Sequence, residues 1–245
     1  MTKYQLGLVS VSFRAHAPEE ILSAMQKAGL TCIEWGSDVH CPPEKARELA
    51  SLQEKYGITC CSYGTYFRLG ITPMEQLTDY ISAAKALGTD ILRLWCGDKN
   101  SGEYTQQEKA QLFAACKTAA KMAEESGVIL CMECHINTYT NTKESALELM
   151  QAVGSDRFRM YWQPSQYTTE EENLAYARLL APYTTHLHVF NWKGKEKYPL
   201  LDAKDIWKQY LGCFSGDRTL LLEFMPDNKL ETLEREAQAL KEIAK

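Results

Sequence analysis

The chain has 245 residues, 45% of them hydrophobic and 24% charged, and a formal net charge of −5. An acidic balance excludes the basic stripe of a nucleic-acid binder, and no apolar run approaches the ~20 residues that a membrane span needs. The opening Met1-Thr2-Lys3-Tyr4 lacks a signal peptide's apolar stretch, so a cytoplasmic protein with neither a nucleic-acid nor a membrane partner is expected.

In chain order, short apolar runs alternate with amphipathic stretches from end to end. Strand-like Gln5–Ser12 precedes a helical pattern at 18–28, and Cys32–Trp35 precedes one at 43–56. Thr59–Tyr63 leads to 73–87, Ile91–Trp95 to 105–126, and Val128–His135 to 142–153. Phe158–Gln163 leads to 169–181, Thr185–Phe190 to 203–211, and Thr219–Phe224 to 228–244. Eight strand-then-helix units with nothing left over predict a parallel sheet closed into one (β/α)8 TIM barrel, a single domain over 1–245.

Local signals agree. Thr72-x-x-Glu75, Thr105-x-x-Glu108 and Thr168-x-x-Glu171 read as capping boxes, in which Thr and Glu side chains satisfy orphan backbone N–H groups. Leu112, Phe113, Cys116, Ala119, Ala120 and Ala123 make one apolar helix face. The irregular pieces 96–104 and 191–201 both follow strands, which puts them on the catalytic face of a barrel. Nine cysteines, an odd number, form no disulfide framework. Cys131 and Cys134 make a C-x-x-C inside a strand-like run, where residues three apart face opposite sides, so they read as small apolar residues and not as a redox pair.

A barrel interior should be apolar, yet most strands end in polar groups. Strand two ends Ile33-Glu34-Trp35-Gly36, strand four carries Arg93 and Trp95, and strand five carries Glu133 and His135. Strand six ends at Gln163, strand seven holds His186 and His188, and strand eight ends at Glu223. Residues two apart on a strand share a face, so Glu133 and His135 point the same way, as do Arg93 and Trp95. His186 alone reads as a core histidine with a hydrogen-bond partner. Glu133 and Glu223 would be costly to bury unpaired, and with an imidazole and an amide at the same mouth they suggest a shared divalent cation.

At these residues the sequence resembles the xylose isomerase-like TIM-barrel superfamily, which includes sugar isomerases and epimerases, inosose dehydratases and endonuclease IV. The pieces that carry the likeness are Ile33-Glu34-Trp35-Gly36 with Asp38-Val39-His40, Ser62-Tyr63-Gly64, Ile91-Leu92-Arg93-Leu94-Trp95 and Met132-Glu133-Cys134-His135. Tyr161-Trp162-Gln163-Pro164, His186-Leu187-His188-Val189-Phe190 and Leu222-Glu223-Phe224 complete the set, one piece per strand.

The resemblance implies one divalent ion, Mn²⁺, Mg²⁺ or Zn²⁺, on Glu133, Gln163, His188 and Glu223. Relatives carry Asp where this chain has Gln163, and often a substrate-contacting His where it has Gln166; both are departures. A neutral amide in place of a carboxylate implies weaker metal binding. The implied reaction is isomerisation or epimerisation of a small-molecule sugar, sugar phosphate or keto-sugar through an enediolate, with Glu133 and Glu223 as the catalytic proton carriers. Lyase or dehydratase chemistry on inositol-like or keto-sugar substrates, and a non-catalytic sugar-binding barrel, are the alternatives. Arg93, Lys193 and Lys195 are candidates for a phosphate or carboxylate, against a solvated loop for Lys193, Lys195 and Lys197. Trp35, Tyr63, Trp95 and Trp192 either stack on sugar C–H faces or line the barrel top. His40 and His135 are candidates for hydroxyl groups, with His40 alternatively capping the next helix.

Overall fold

The computed structural model describes residues 4–245. Eight parallel strands close into a barrel: β1 (Tyr4–Val9), β2 (Cys32–Gly36), β3 (Thr59–Leu69), β4 (Ile91–Cys96), β5 (Ile129–Glu133), β6 (Phe158–Trp162), β7 (Thr184–Val189) and β8 (Arg218–Leu222). Each pairs with its sequence neighbours, and β1 closes the ring on β8. Helices α1 (Pro18–Ala28), α2 (Ala46–Lys55), α3 (Leu77–Leu87), α4 (Gln106–Ser126), α5 (Lys143–Val153), α6 (Glu170–Leu180), α7 (Lys204–Leu211) and α8 (Leu233–Ile243) follow the strands in turn. None of them, among the described residues, is long and apolar enough to cross a membrane.

The alternation of the strands divides the interior into two shells. Outward residues such as Leu8, Ile33, Leu92, Leu130, Met132 and Leu187 pack against the helices. Inward residues Val9, Cys32, Cys131, Tyr161 and Leu221 fill the bore beneath the mouth. All nine cysteines are free thiols. Burial pushes the Cys131 and Cys134 thiols up to about 12, so neither carries the thiolate that redox chemistry uses.

The differences from expectation have local causes. β3 runs six residues past Tyr63, because a register shift between Gly64 and Arg68 lets it continue beside β4, pairing Arg68 with Trp95 and Leu69 with Cys96. The segment 191–201 folds a small antiparallel hairpin, Trp192–Lys193 against Glu196–Lys197. The stretches at 43–45, 74–76 and 230–232 are single 3₁₀ turns ahead of α2, α3 and α8, which shortens those helices. Of the three capping boxes, Thr105–Glu108 forms as expected. Thr169, not Thr168, caps α6 by accepting from Glu172 N–H, while the Thr168 hydroxyl turns to Asn173. Thr72 Oγ1 instead accepts from Arg68 N–H and ties down the end of β3.

Candidate active site

Five strands bring charged groups to the mouth, and none is left isolated. Glu34, from β2, is wholly buried. Arg93, from β4, bridges two carboxylates: Nε donates to Glu34 Oε1 at 2.9 Å and Nη1 to Glu133 Oε2 at 2.8 Å. Trp95, two residues on and therefore on the same face, donates its indole N–H to the same Glu133 oxygen. Room for this pair comes from Gly64 on β3, where a Cβ would stand 2.5 Å from Glu34 Oε1 and 2.8 Å from Arg93 Nη2.

His188, from β7, occupies the centre. Its Nε2 lies 3.5 Å from Glu34 Oε2. Its Nδ1 faces three oxygens at once: Gln163 Oε1 at 2.9 Å, Glu223 Oε2 at 3.4 Å and Glu133 Oε1 at 3.5 Å. Gln163 and Glu223 each stand one residue past the ends of β6 and β8, both turned inward and buried.

The carboxylates are unequal. Burial raises the Glu34 carboxyl, but Arg93 and His188 outweigh it and hold it at about 2. The same contest leaves Glu133 well below the usual carboxylate range. Glu223 goes the other way: burial raises it, and the negative charge of Glu133 adds to that against His188. Burial lowers His188, yet the charges of Glu223 and Glu34 carry it up to about 10. As an imidazolium its Nδ1–H donates to the Gln163 amide oxygen.

Above this cluster lies a pocket of about 180 Å³. Arg93, Glu133, Gln163 and Glu223 form its polar floor, and Trp95, His135, Gln166 and Trp192 rise around it with Val11, Tyr66, Phe190 and Phe224. His135 stacks on Trp95 with ring centroids 5.3 Å apart.

Other expected contacts lie elsewhere. Trp35 is fully buried and donates its indole N–H to Gln53 Oε1 on α2, so it packs between sheet and helices and not in the mouth. Tyr63 likewise donates its hydroxyl to Cys41 O and packs on Tyr80 of α3. His40 is buried against Trp35 with Nδ1 3.1 Å from Ser10 Oγ, outside the pocket. Lys193 is exposed beside Glu170, and Lys195 is exposed on the hairpin turn. Arg93 has both ends of its guanidinium engaged by Glu34 and Glu133, which leaves it a structural bridge before it is an anion site. His186 is a core residue whose Nε2 meets Cys61 O at 3.1 Å, as the sequence suggests.

The residue missed as a site member is Glu34. The signal was present: adjacent residues on a strand face opposite ways, so Glu34 and Trp35 cannot both point inward. The same alternation separates Ser62 from Tyr63.

Comparison with known proteins agrees with the fold. A sequence profile described as "Xylose isomerase-like TIM barrel" matches residues 22–209. Curated protein sequences contain no significant match. Among solved structures, the probable 3-DHS dehydratase AsbF from Bacillus anthracis superposes with a TM-score of 0.79 at 17% identity, over 98% of this chain and 99% of that one. A D-allulose 3-epimerase from Methylomonas sp., solved with D-allulose, gives 0.73 at 14% identity, over 98% and 97%. A xylose isomerase-like TIM barrel protein from Mycobacterium smegmatis, solved with magnesium, gives 0.71 at 13% identity, over 99% and 97%. At these identities the likeness establishes the fold.

Proposed function

The chain belongs to the xylose isomerase-like TIM-barrel family, and from that premise we propose that it is an isomerase or epimerase of a sugar or keto-sugar derivative, working by metal-assisted proton transfer through an enediolate. The observation that carries this reading is the convergence of three side-chain oxygens on His188 Nδ1, at 2.9 to 3.5 Å. Ligands at ~2.1 Å from a common ion stand about 3.0–3.4 Å from one another in octahedral or tetrahedral coordination, so the donor set fits a divalent ion. Glu133, His188 and Glu223 offer ligand atoms within 4.8 Å of one another, and Gln163 supplies the fourth. Oxygen and imidazole donors suit Mn²⁺, Mg²⁺ or Zn²⁺.

When bound, such an ion polarises a substrate carbonyl and its neighbouring hydroxyl and makes the intervening C–H acidic. Glu223, whose carboxyl burial raises above its ordinary value while Glu133 is held below its own, is the better proton acceptor of the pair. It takes the C–H proton while the electron pair moves into the carbonyl to give the enediolate. Glu133, fixed in orientation by Arg93 and Trp95 and held as a carboxylate, takes a proton from water and relays it to the opposite face for an epimerisation, the proton on Glu223 going to the hydroxide left behind; for an isomerisation Glu223 returns its own proton to the adjacent carbon. Trp95 and Trp192 offer flat surfaces to sugar C–H faces, while His135 and Gln166 offer hydrogen bonds to hydroxyls.

Incubation with ketoses, keto-acids and inositols in D₂O should label the exchanging carbon by NMR, and Glu223→Gln should abolish the label. Bound metal should fall in Glu133→Ala by elemental analysis. Unlabelled product formed at full rate would remove the proton-transfer reading. The raised Glu223 carboxyl also suits an elimination, in which Glu133 takes the α C–H proton, the electron pair forms the C=C and Glu223 hands its proton to the departing hydroxyl; loss of water with a new C=C absorbance would put a dehydratase in place of the isomerase.

A further inference from the structure

One cation at the mouth makes no direct ion pair. Lys197, on the hairpin after β7, lies with Nζ 5.1 Å from the Trp192 ring centroid and 4.7 Å from that of Phe224. Its hydrogen bond goes to Asn228 Oδ1 at 3.1 Å, and among the described residues no carboxylate forms a salt bridge with it; the charge of Glu223, already engaged by His188, reaches it only from farther off. The other cations there are committed. Arg93 is held by Glu34 and Glu133, Arg14 by Asp38 and the Tyr66 hydroxyl, and Arg68 by the carbonyls of Gly97 and Asn137.

The surroundings of Lys197 are a built space. A cavity of about 320 Å³ carries Arg14, His16, Lys197 and Asn228, and it adjoins the active-site pocket, since Val11 and Phe224 line both. Backbone strain gathers at the same place. Among the described residues three non-glycines have positive φ, and two of them are Phe224 (56°) and Asn228 (55°), the ring beneath Lys197 and the amide beside it. Asn tolerates this conformation, but for a bulky Phe it is strained, and Phe224 N–H is held there by Ser12 Oγ at 2.9 Å. Strain of this kind persists where the surrounding structure imposes it, often at ligand sites.

Resting on the reading of the mouth as a substrate site, we propose that Lys197 is a specificity-determining residue that binds an anionic group of the substrate, a carboxylate or a phosphate, seated in the cavity beyond Phe224 and remote from the reacting carbons. A divalent ion together with Arg93 balances Glu34, Glu133 and Glu223, which leaves the Lys197 charge unmatched. An ammonium partly buried on two rings is poorly solvated, and a substrate anion restores what the water shell would have supplied.

The test is calorimetric titration of the Mn²⁺-loaded protein with D-fructose, D-fructose 6-phosphate and D-fructuronate. At least one anionic probe should bind ten-fold or more tighter than fructose, and which one does so separates phosphate from carboxylate. Lys197→Met should bring that probe to the level of fructose without changing fructose's own affinity, and Lys197→Arg should restore most of the preference. In the wild type the preference should shrink as NaCl is raised, a readout that needs no variant to fold. Equal binding of all three probes, no binding of either anion, or equal weakening of neutral and anionic probes in Lys197→Met overturns the proposal. Metal content and deuterium exchange are separate readouts. A Lys197-dependent anion preference in a protein with neither would leave this inference standing and remove the proton-transfer reading, whereas both intact without the preference would remove this inference alone.

Discussion

Gln163 stands where the resemblance implies an Asp, and the geometry bears on what that difference does. The amide oxygen reaches within 2.9 Å of His188 Nδ1 by virtue of a side chain one methylene longer than Asp. Treating Asp as its charged equivalent, as the sequence alone invites, would shorten that reach; the carboxylate of matching length is Glu. Gln163→Glu adds a full charge beside a hard cation, opposed by its own desolvation, for a net gain of about 1–3 kcal/mol. Calorimetric titration with Mn²⁺ should show binding tighter by that amount, while Gln163→Asp gains less. Weaker binding in Gln163→Glu would mean that Gln163 does not contact the ion. Turnover need not rise with affinity, because an added negative ligand makes the ion a weaker Lewis acid.

At the scale of elements, β3 does more than close the barrel between β2 and β4. Its Gly64 leaves the space in which Glu34 and Arg93 meet, and its extension past the rim carries Tyr66 into the pocket and Arg68 over Trp95, 4.2 Å from the ring centroid. The neighbours of Gly64 are the heads of a buried ion pair, which have nowhere to retreat. Gly64→Ala should therefore destabilise the fold by about 1–3 kcal/mol, the usual cost of overpacking. It should also weaken Mn²⁺ binding, because Arg93 is what positions Glu133. Urea unfolding and metal titration check the two parts; a variant of wild-type stability with unchanged metal affinity would show that the pair does not depend on this space.

The whole molecule carries a pH signature that follows from burying this cluster. His188 is raised from 6.5 to about 10, so its contribution is complete below 6.5 and is lost as pH rises through 10. Glu34 is lowered from 4.5 to about 2, so its contribution is complete above 4.5 and is lost as pH falls through 2. Glu223 is raised above 4.5, so its contribution is complete below 4.5 and is lost as pH rises; protein stripped of metal should accordingly be most stable near pH 4.5 and lose stability above it, most steeply from pH 6.5 as His188 gives up its proton, with a limiting slope of about 1.4 kcal/mol per pH unit from each such group. A metal ion takes the place of the proton on His188, so saturating Mn²⁺ should remove the alkaline slope. Urea unfolding at pH 6, 8 and 9.5 with and without Mn²⁺ measures both; a flat profile in the metal-free protein would contradict the protonated His188.

The sequence by itself determined the architecture and the ring of strand ends, because both are written in short-range periodicity. Alternation marks strands, a 3.6-residue spacing marks helices, and eight repeats of the pair leave a closed barrel as the arrangement that buries both faces. Glu133, Gln163, His188 and Glu223 were legible because a polar residue at the end of an apolar run needs a reason. Which of two neighbours points inward was decided only by the tertiary structure, as Glu34 against Trp35 and Ser62 against Tyr63 make plain, since a register shift or bulge reverses the choice without altering the pattern. The fate of the cations was likewise tertiary. Arg93 is bound by two carboxylates from other strands, Lys193 and Lys195 stay in solvent, and Lys197, two residues further on, lies across Trp192 and Phe224. Charge balance depends on partners distant in sequence, and only the closed barrel brings those partners within reach of one another.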